Sequence, residues 1–98
     1  MIQHTVSFAL RHPAGSTEEG GFLADAAAIL PSIPGVQHFI VSRQVSPKSA
    51  HAFQFSMEFA DAAAYEAYNA HPAHVEFVAT RWVPEVADFQ ELDLVPLE

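Results

Sequence analysis

Apolar and polar residues alternate along the start of the chain. Ile2, Val6, Phe8 and Leu10 share one face with His4, while Gln3, Thr5, Ser7 and Ala9 take the other. A period of two predicts a strand with one buried face. The loop HPAGS ends it, and Ser16 followed by Glu19 is a capping-box pattern, with Glu18 and Glu19 in the first turn of a helix. Gly20 and Gly21 weaken that turn. Phe22, Ala26, Ile29, Leu30 and Ile33 then follow helical spacing, until Pro31 disturbs the helix end and Pro34-Gly35 makes a turn. Residues 36–44, with Val36, Phe39, Ile40 and Val41, read as a second strand. After the polar loop SPKSA, Phe53, Phe55, Met57 and Phe59 alternate with Gln54, Ser56 and Glu58 in a third. Asp61 caps a helix that ends near Ala70, and His71-Pro72 restarts one, since proline is favoured at the first helical position. On that last helix Val75, Val78 and Trp82 are spaced to share a face, Pro84 stops it, and a strand over 86–94 follows.

The order β–α–β–β–α–α–β is the split βαβ pattern of an α+β, ferredoxin-like fold: a four-stranded antiparallel sheet with helices on one face. The opposite face carries Gln3, Thr5, Ser7, Gln54, Ser56 and Glu58, small and polar but lightly charged. Either water or a second copy covers it.

Ninety-eight residues, half of them apolar and eight of them Phe, make one compact domain and exclude a disordered chain. The absence of cysteine excludes disulfides, Cys-ligated metals and thiolate nucleophiles. A formal charge of −8 argues against nucleic acid as a partner. Residues 58–98 hold nine acids and one base, Arg81, so that half is predicted to repel anionic ligands unless the charge is only a solvated surface. No stretch is long and apolar enough for a bilayer, and no basic leader is visible, so a cytoplasmic protein is expected. Neither a phosphate-binding glycine loop nor a Ser-His-Asp spacing is present.

The densest chemistry lies in Tyr68-Asn69-Ala70-His71-Pro72-Ala73-His74. A histidine in a first helical turn is disfavoured as imidazolium, so His74 is expected to be neutral and able to accept a proton. A nearby phenol, Tyr68, can donate to a carbonyl oxygen, and the two together suit proton abstraction beside a carbonyl. A structural alternative has His71 as a helix cap and His74 as a hydrogen-bonding support. His-x-x-His spacing also admits a metal, though no carboxylate completes it and Pro72 interrupts the helix. His4 sits on an apolar face, where it must find a partner or line a cavity. Val6, Phe8, Phe55, Met57 and Trp82 are core residues that can also border a pocket between sheet and helices.

The segments IQHTVSFAL, IPGV, FSMEFADAAAYEAY and HPAHVEFV, and more loosely VADFQELD, resemble the stress-responsive A/B-barrel (Dabb) family. The Tyr-x-x-His-Pro-x-His element is the most specific part. The resemblance implies a ferredoxin-like chain that dimerises sheet to sheet into an α+β barrel, which answers the question of the uncovered face. The family's olivetolic acid cyclase branch, with the same Tyr-x-x-His-Pro-Ala-His-Val run, is cofactor-free and performs an aldol-type ring closure. By that similarity Tyr68 would orient a carbonyl, His74 would be the base, His4 would line the pocket, and no cofactor would be needed. Three functions stay open: a homodimer whose cavity binds an apolar or carbonyl-bearing molecule, a cofactor-free cyclase, lyase or isomerase, and a haem-degrading monooxygenase, which shares the dimeric barrel.

Overall fold

A computed structural model describes all residues from Met1 to Glu98. The elements are β1 (Ile2–Leu10), α1 (Thr17–Ile29) with a 3₁₀ turn at Leu30–Ser32, β2 (Gln37–Arg43), β3 (Phe53–Phe59), α2 (Ala62–Ala70), α3 (Pro72–Phe77), a π-helical turn (Val78–Trp82), α4 (Val83–Glu85) and β4 (Val86–Leu94). Crossovers through the helices place the strands in the order β2-β3-β1-β4, each antiparallel to its neighbours. This is the ferredoxin-like arrangement expected from the alternating pattern. No helix is long and apolar enough to cross a membrane.

Register decides what the helices cover. His4 lies opposite Met57 and Asp93, Val6 opposite Phe55 and Glu91, and Phe8 opposite Phe53 and Phe89. These rows face the helices, so the sheet contributes an aromatic floor. Phe22 of α1 is fully buried on it, with ring centroids 5.9 Å from Phe8 and 5.6 Å from Phe77.

Local chemistry sets the helix ends. Ser16 Oγ accepts from the Glu19 N–H at 3.2 Å, as a capping box requires, but the Glu19 carboxylate accepts from Gly15 N rather than from Ser16. Pro34-Gly35 turns with Gly35 at φ +92°, against Ala64 of α2. His38 is also left-handed, at φ +51°, where the β2–β3 register shifts between Gln37 and Ile40.

The third helical section departs from regular spacing. Pro84 has no N–H to return to the preceding turn, and a widened π turn precedes it. The helical path continues through Pro84 to Glu85 instead of stopping there. Before that turn, on α3, Val75 points outward, 54% exposed, and Phe77 is the residue buried instead. Trp82 is carried onto the sheet between Phe8 and Phe89, at 5.1 and 5.6 Å. Arg81 secures the turn through ion pairs to Asp25 of α1 and to Glu85.

Because Phe22 touches both the sheet and α3, Phe22→Ala is expected to cost ~3–5 kcal/mol of folding stability, as for other buried aromatic truncations. Chemical denaturation measures it, and a loss below about 1 kcal/mol would contradict the packing described.

Candidate active site

The break between α2 and α3 builds one wall of the site. His71 is extended (φ −64°, ψ 136°) and serves both helices. Its N–H donates to Tyr68 O at 3.1 Å, closing α2, and its Nδ1 accepts from Ala73 N at 3.1 Å, opening α3. Pro72 follows at the first helical position, where its missing N–H costs nothing. His71 is therefore the helix cap.

The bend brings His74 back over the end of α2. Its Nδ1 lies 3.2 Å from the Asn69 carbonyl oxygen, one of the carbonyls a helix end leaves without a partner. A carbonyl only accepts, so Nδ1 carries the proton and the Nε2 lone pair stays free. The Tyr68 and His74 rings stand 4.4 Å apart. Burial holds the His74 imidazolium below its ordinary range, and the neighbouring His4 acts in the same direction. The Asn69 hydrogen bond and Glu91 oppose that shift without reversing it. The neutral form expected from the sequence thus has burial as its main cause.

Tyr68 is 98% buried as a residue, but its hydroxyl makes no hydrogen bond within the chain and is not sealed from solvent: it opens onto the cavity described below. Burial pushes its ionisation well above the ordinary tyrosine range, with Tyr65 and Glu91 adding to the effect. It is a protonated phenol with a donor to spare.

His4 enters from the sheet. The pairing of β1 with β4 sets it opposite Asp93, whose Oδ1 accepts from His4 Nδ1 at 2.6 Å. The Tyr65 hydroxyl lies 2.9 Å from the same nitrogen and donates to Asp93 Oδ2 at 2.9 Å. Burial and Asp93 together raise the Tyr65 ionisation, so it too stays protonated. A carboxylate behind Nδ1 fixes the tautomer and leaves Nε2 of His4 without a partner in the chain.

One cavity of about 350 Å³ lies between sheet and helices, and His4, Val6, Phe55, Met57, Tyr68, His74 and Trp82 all line it. Phe8 does not. It is fully buried beneath that wall, its ring 4.6 Å from Phe55 and 5.1 Å from Trp82, because the π turn lays Trp82 across it. Residues not anticipated complete the wall: Leu30, Asn69, Phe77, Val78, Val83, Phe89 and Glu91. Phe89, Glu91 and Asp93 recur every second residue, and Tyr65 stands three before Tyr68. Those spacings were the available signal for the β4 wall and the Tyr65 contact.

A separate hydrogen-bonded chain crosses the open sheet face, although no Ser-His-Asp spacing marks it in the sequence. Ser7 Oγ lies 2.8 Å from His51 Nδ1, and His51 Nε2 lies 2.8 Å from Asp88 Oδ2. It ties β1, the loop before β3 and β4 together, away from the cavity.

An antiparallel ferredoxin-like sheet whose one-sided helices enclose a small, mostly apolar cavity with an imidazole–phenol pair defines the class of protein. The chain belongs to the stress responsive A/B barrel domain (Dabb) family, whose profile matches residues 2–96. It is 59% identical to a Dabb family protein with a ferredoxin-like fold from Mesorhizobium loti; the match covers 99% of this chain and 97% of that one, with a TM-score of 0.98. It shares the fold of a hydroxynitrile lyase from Passiflora edulis, with 17% identity, coverage of 99% and 94%, and a TM-score of 0.81. A dimeric ferredoxin-like protein of unknown function from Thermobifida fusca is alike in fold at 16% identity, coverage of 97% and 90%, and a TM-score of 0.79. No curated protein matches the chain.

His74 is expected to titrate below its ordinary value of 6.5, as followed by its imidazole proton resonances. The sign follows from proton counting. Between the lowered folded value and 6.5 the unfolded chain binds more protons, so stability is lost as pH falls through that window. His74→Asn should flatten that part of the stability profile. Titration of His74 at or above 6.5 would contradict the burial described.

Proposed function

We propose that the cavity receives an apolar, carbonyl-bearing small molecule and that the protein works as a homodimer. The observation that carries the first part is the Tyr68 hydroxyl, which opens onto an apolar cavity from an otherwise buried side chain and spends its donor on no protein group. A donor at a cavity wall is satisfied by a ligand acceptor or by water. The rest of the wall supplies apolar contact, with His4 and His74 presenting their second ring nitrogens.

The same groups support cofactor-free aldol-type chemistry as a second reading. His74 Nε2 would take the proton from the carbon beside the carbonyl, leaving the electron pair as an enolate. Tyr68 would donate a hydrogen bond to the enolate oxygen as its charge develops. Attack of the enolate carbon on a second carbonyl forms the new carbon–carbon bond, and His74 returns its proton to the resulting alkoxide. The reverse sequence breaks such a bond. A hydroxynitrile lyase shares this fold, but the support for this reading in the present chain is the placement of Tyr68 and His74.

Trp82, the only tryptophan, lines the cavity and reports on it. Butyrophenone is expected to perturb Trp82 fluorescence saturably, and Tyr68→Phe to weaken it by roughly three- to tenfold, the worth of one neutral hydrogen bond. Absence of any saturable change across a panel of aryl ketones would overturn the binding reading. With a turned-over substrate in hand, His74→Ala should lower kcat on the order of 100-fold. Undiminished turnover in that variant would remove His74 as the base.

Support for the dimer lies on the open sheet face. Thr5, Ser7, Gln54 and Ser56 form its polar centre, and Ile40, Leu92 and Leu94 flank them, each about half exposed. A polar centre with apolar flanks suits burial against a second copy related by a two-fold axis. Light scattering should give the mass of two chains, and Ser56→Arg with Leu92→Asp should give one. A wild-type mass of one chain that holds across a concentration series would refute the dimer.

A further inference from the structure

The cavity contains one carboxylate and no lysine or arginine. Glu91 stands on β4 between Phe89 and Asp93, opposite Val6, and shares the cavity wall with His4, Tyr68 and His74. It joins none of the chain's ion pairs. The acid beside it on the same face, Asp93, is committed to His4 and Tyr65. Arg81, the one base in this half of the chain, is committed to Asp25 and Glu85. The charge on Glu91 is therefore uncompensated where a ligand would lie. Its reach across the site shows in Tyr65, Tyr68 and His74, each of which holds its proton more firmly because of it.

Resting on the cavity reading above, we infer that Glu91 restricts the site to uncharged carbonyl compounds and turns away carboxylates and phosphates of the same size. The physical reason is direct. A second negative charge held within about 6 Å of Glu91, at an effective dielectric of roughly 20–40, is disfavoured by about tenfold or more. A neutral ketone meets no such term and keeps its hydrogen bond from Tyr68. The acidic bias of the C-terminal half thereby resolves into one residue with a selective effect, and the other acids on that half need play no part in it.

Two probes of similar size and different charge, butyrophenone and phenylbutyrate, test this by calorimetry at low salt and mildly alkaline pH. The wild-type protein is expected to bind the ketone at least tenfold more tightly than the carboxylate. In Glu91→Gln that gap should close to within about threefold, chiefly through tighter binding of the carboxylate, because the substitution removes the charge while keeping the shape of the side chain. Added salt should narrow the wild-type gap and leave the variant unaffected. Comparable wild-type binding of both probes, or a gap that persists in Glu91→Gln, overturns the inference while leaving the cavity reading intact. Binding of neither probe to either protein, with none of the panel of aryl ketones bound, overturns both.

Discussion

The antiparallel pairing of β1 with β4 is the constraint on which the cavity depends. It places His4 opposite Asp93 in a register that cannot slip by one residue without turning every side chain of β4 to the other face. That pairing brings a carboxylate from the end of the chain to a histidine at its start, and Tyr65 closes the contact from α2. The same register puts Glu91 and Phe89 on the cavity wall and leaves Leu92 and Leu94 on the open face. One alignment of two strands thus decides the site on one side of the sheet and the candidate interface on the other.

The second wall depends on a break rather than a pairing. A continuous helix through residues 70–75 would keep the Asn69 carbonyl within its own hydrogen-bond ladder. His71 and Pro72 end that ladder and start another, which frees Asn69 O to accept from His74. Both cavity histidines are consequently tied at Nδ1, one by a carboxylate and one by a carbonyl. What each presents to the cavity is Nε2. Burial keeps His74 neutral and Tyr68 protonated, so a proton acceptor and a proton donor stand together.

Much of the fold is legible in the sequence because β1 and β3 alternate cleanly and Ser16, Asp61 and His71 mark helix starts. His4 is legible as a candidate site residue because it is a polar group on an otherwise apolar strand face, and Tyr68 and His74 because they flank the His71-Pro72 helix break. Phe8 shares the strand face of His4, but period two only says which face a residue takes. Whether it meets a cavity or the floor beneath depends on Trp82, and Trp82 is displaced by a π turn that has no periodicity of its own. Glu91, Asp93 and Tyr65 escape notice for another reason. Their importance arises from a strand pairing that spans almost the whole chain, and charged residues on an edge strand read naturally as solvated. The Ser7–His51–Asp88 chain is of the same kind, three elements joined only by the fold.

The most direct test of the site is the protonation of its two imidazoles. Long-range proton–nitrogen NMR spectra at mildly alkaline pH distinguish the two neutral tautomers residue by residue. Both His4 and His74 are expected as the Nδ1–H form, with Nε2 bare, and Asp93→Asn should disturb His4 while sparing His74. An Nε2–H form at either ring would contradict the arrangement, because that nitrogen could then neither accept a substrate proton nor face the cavity as a free base.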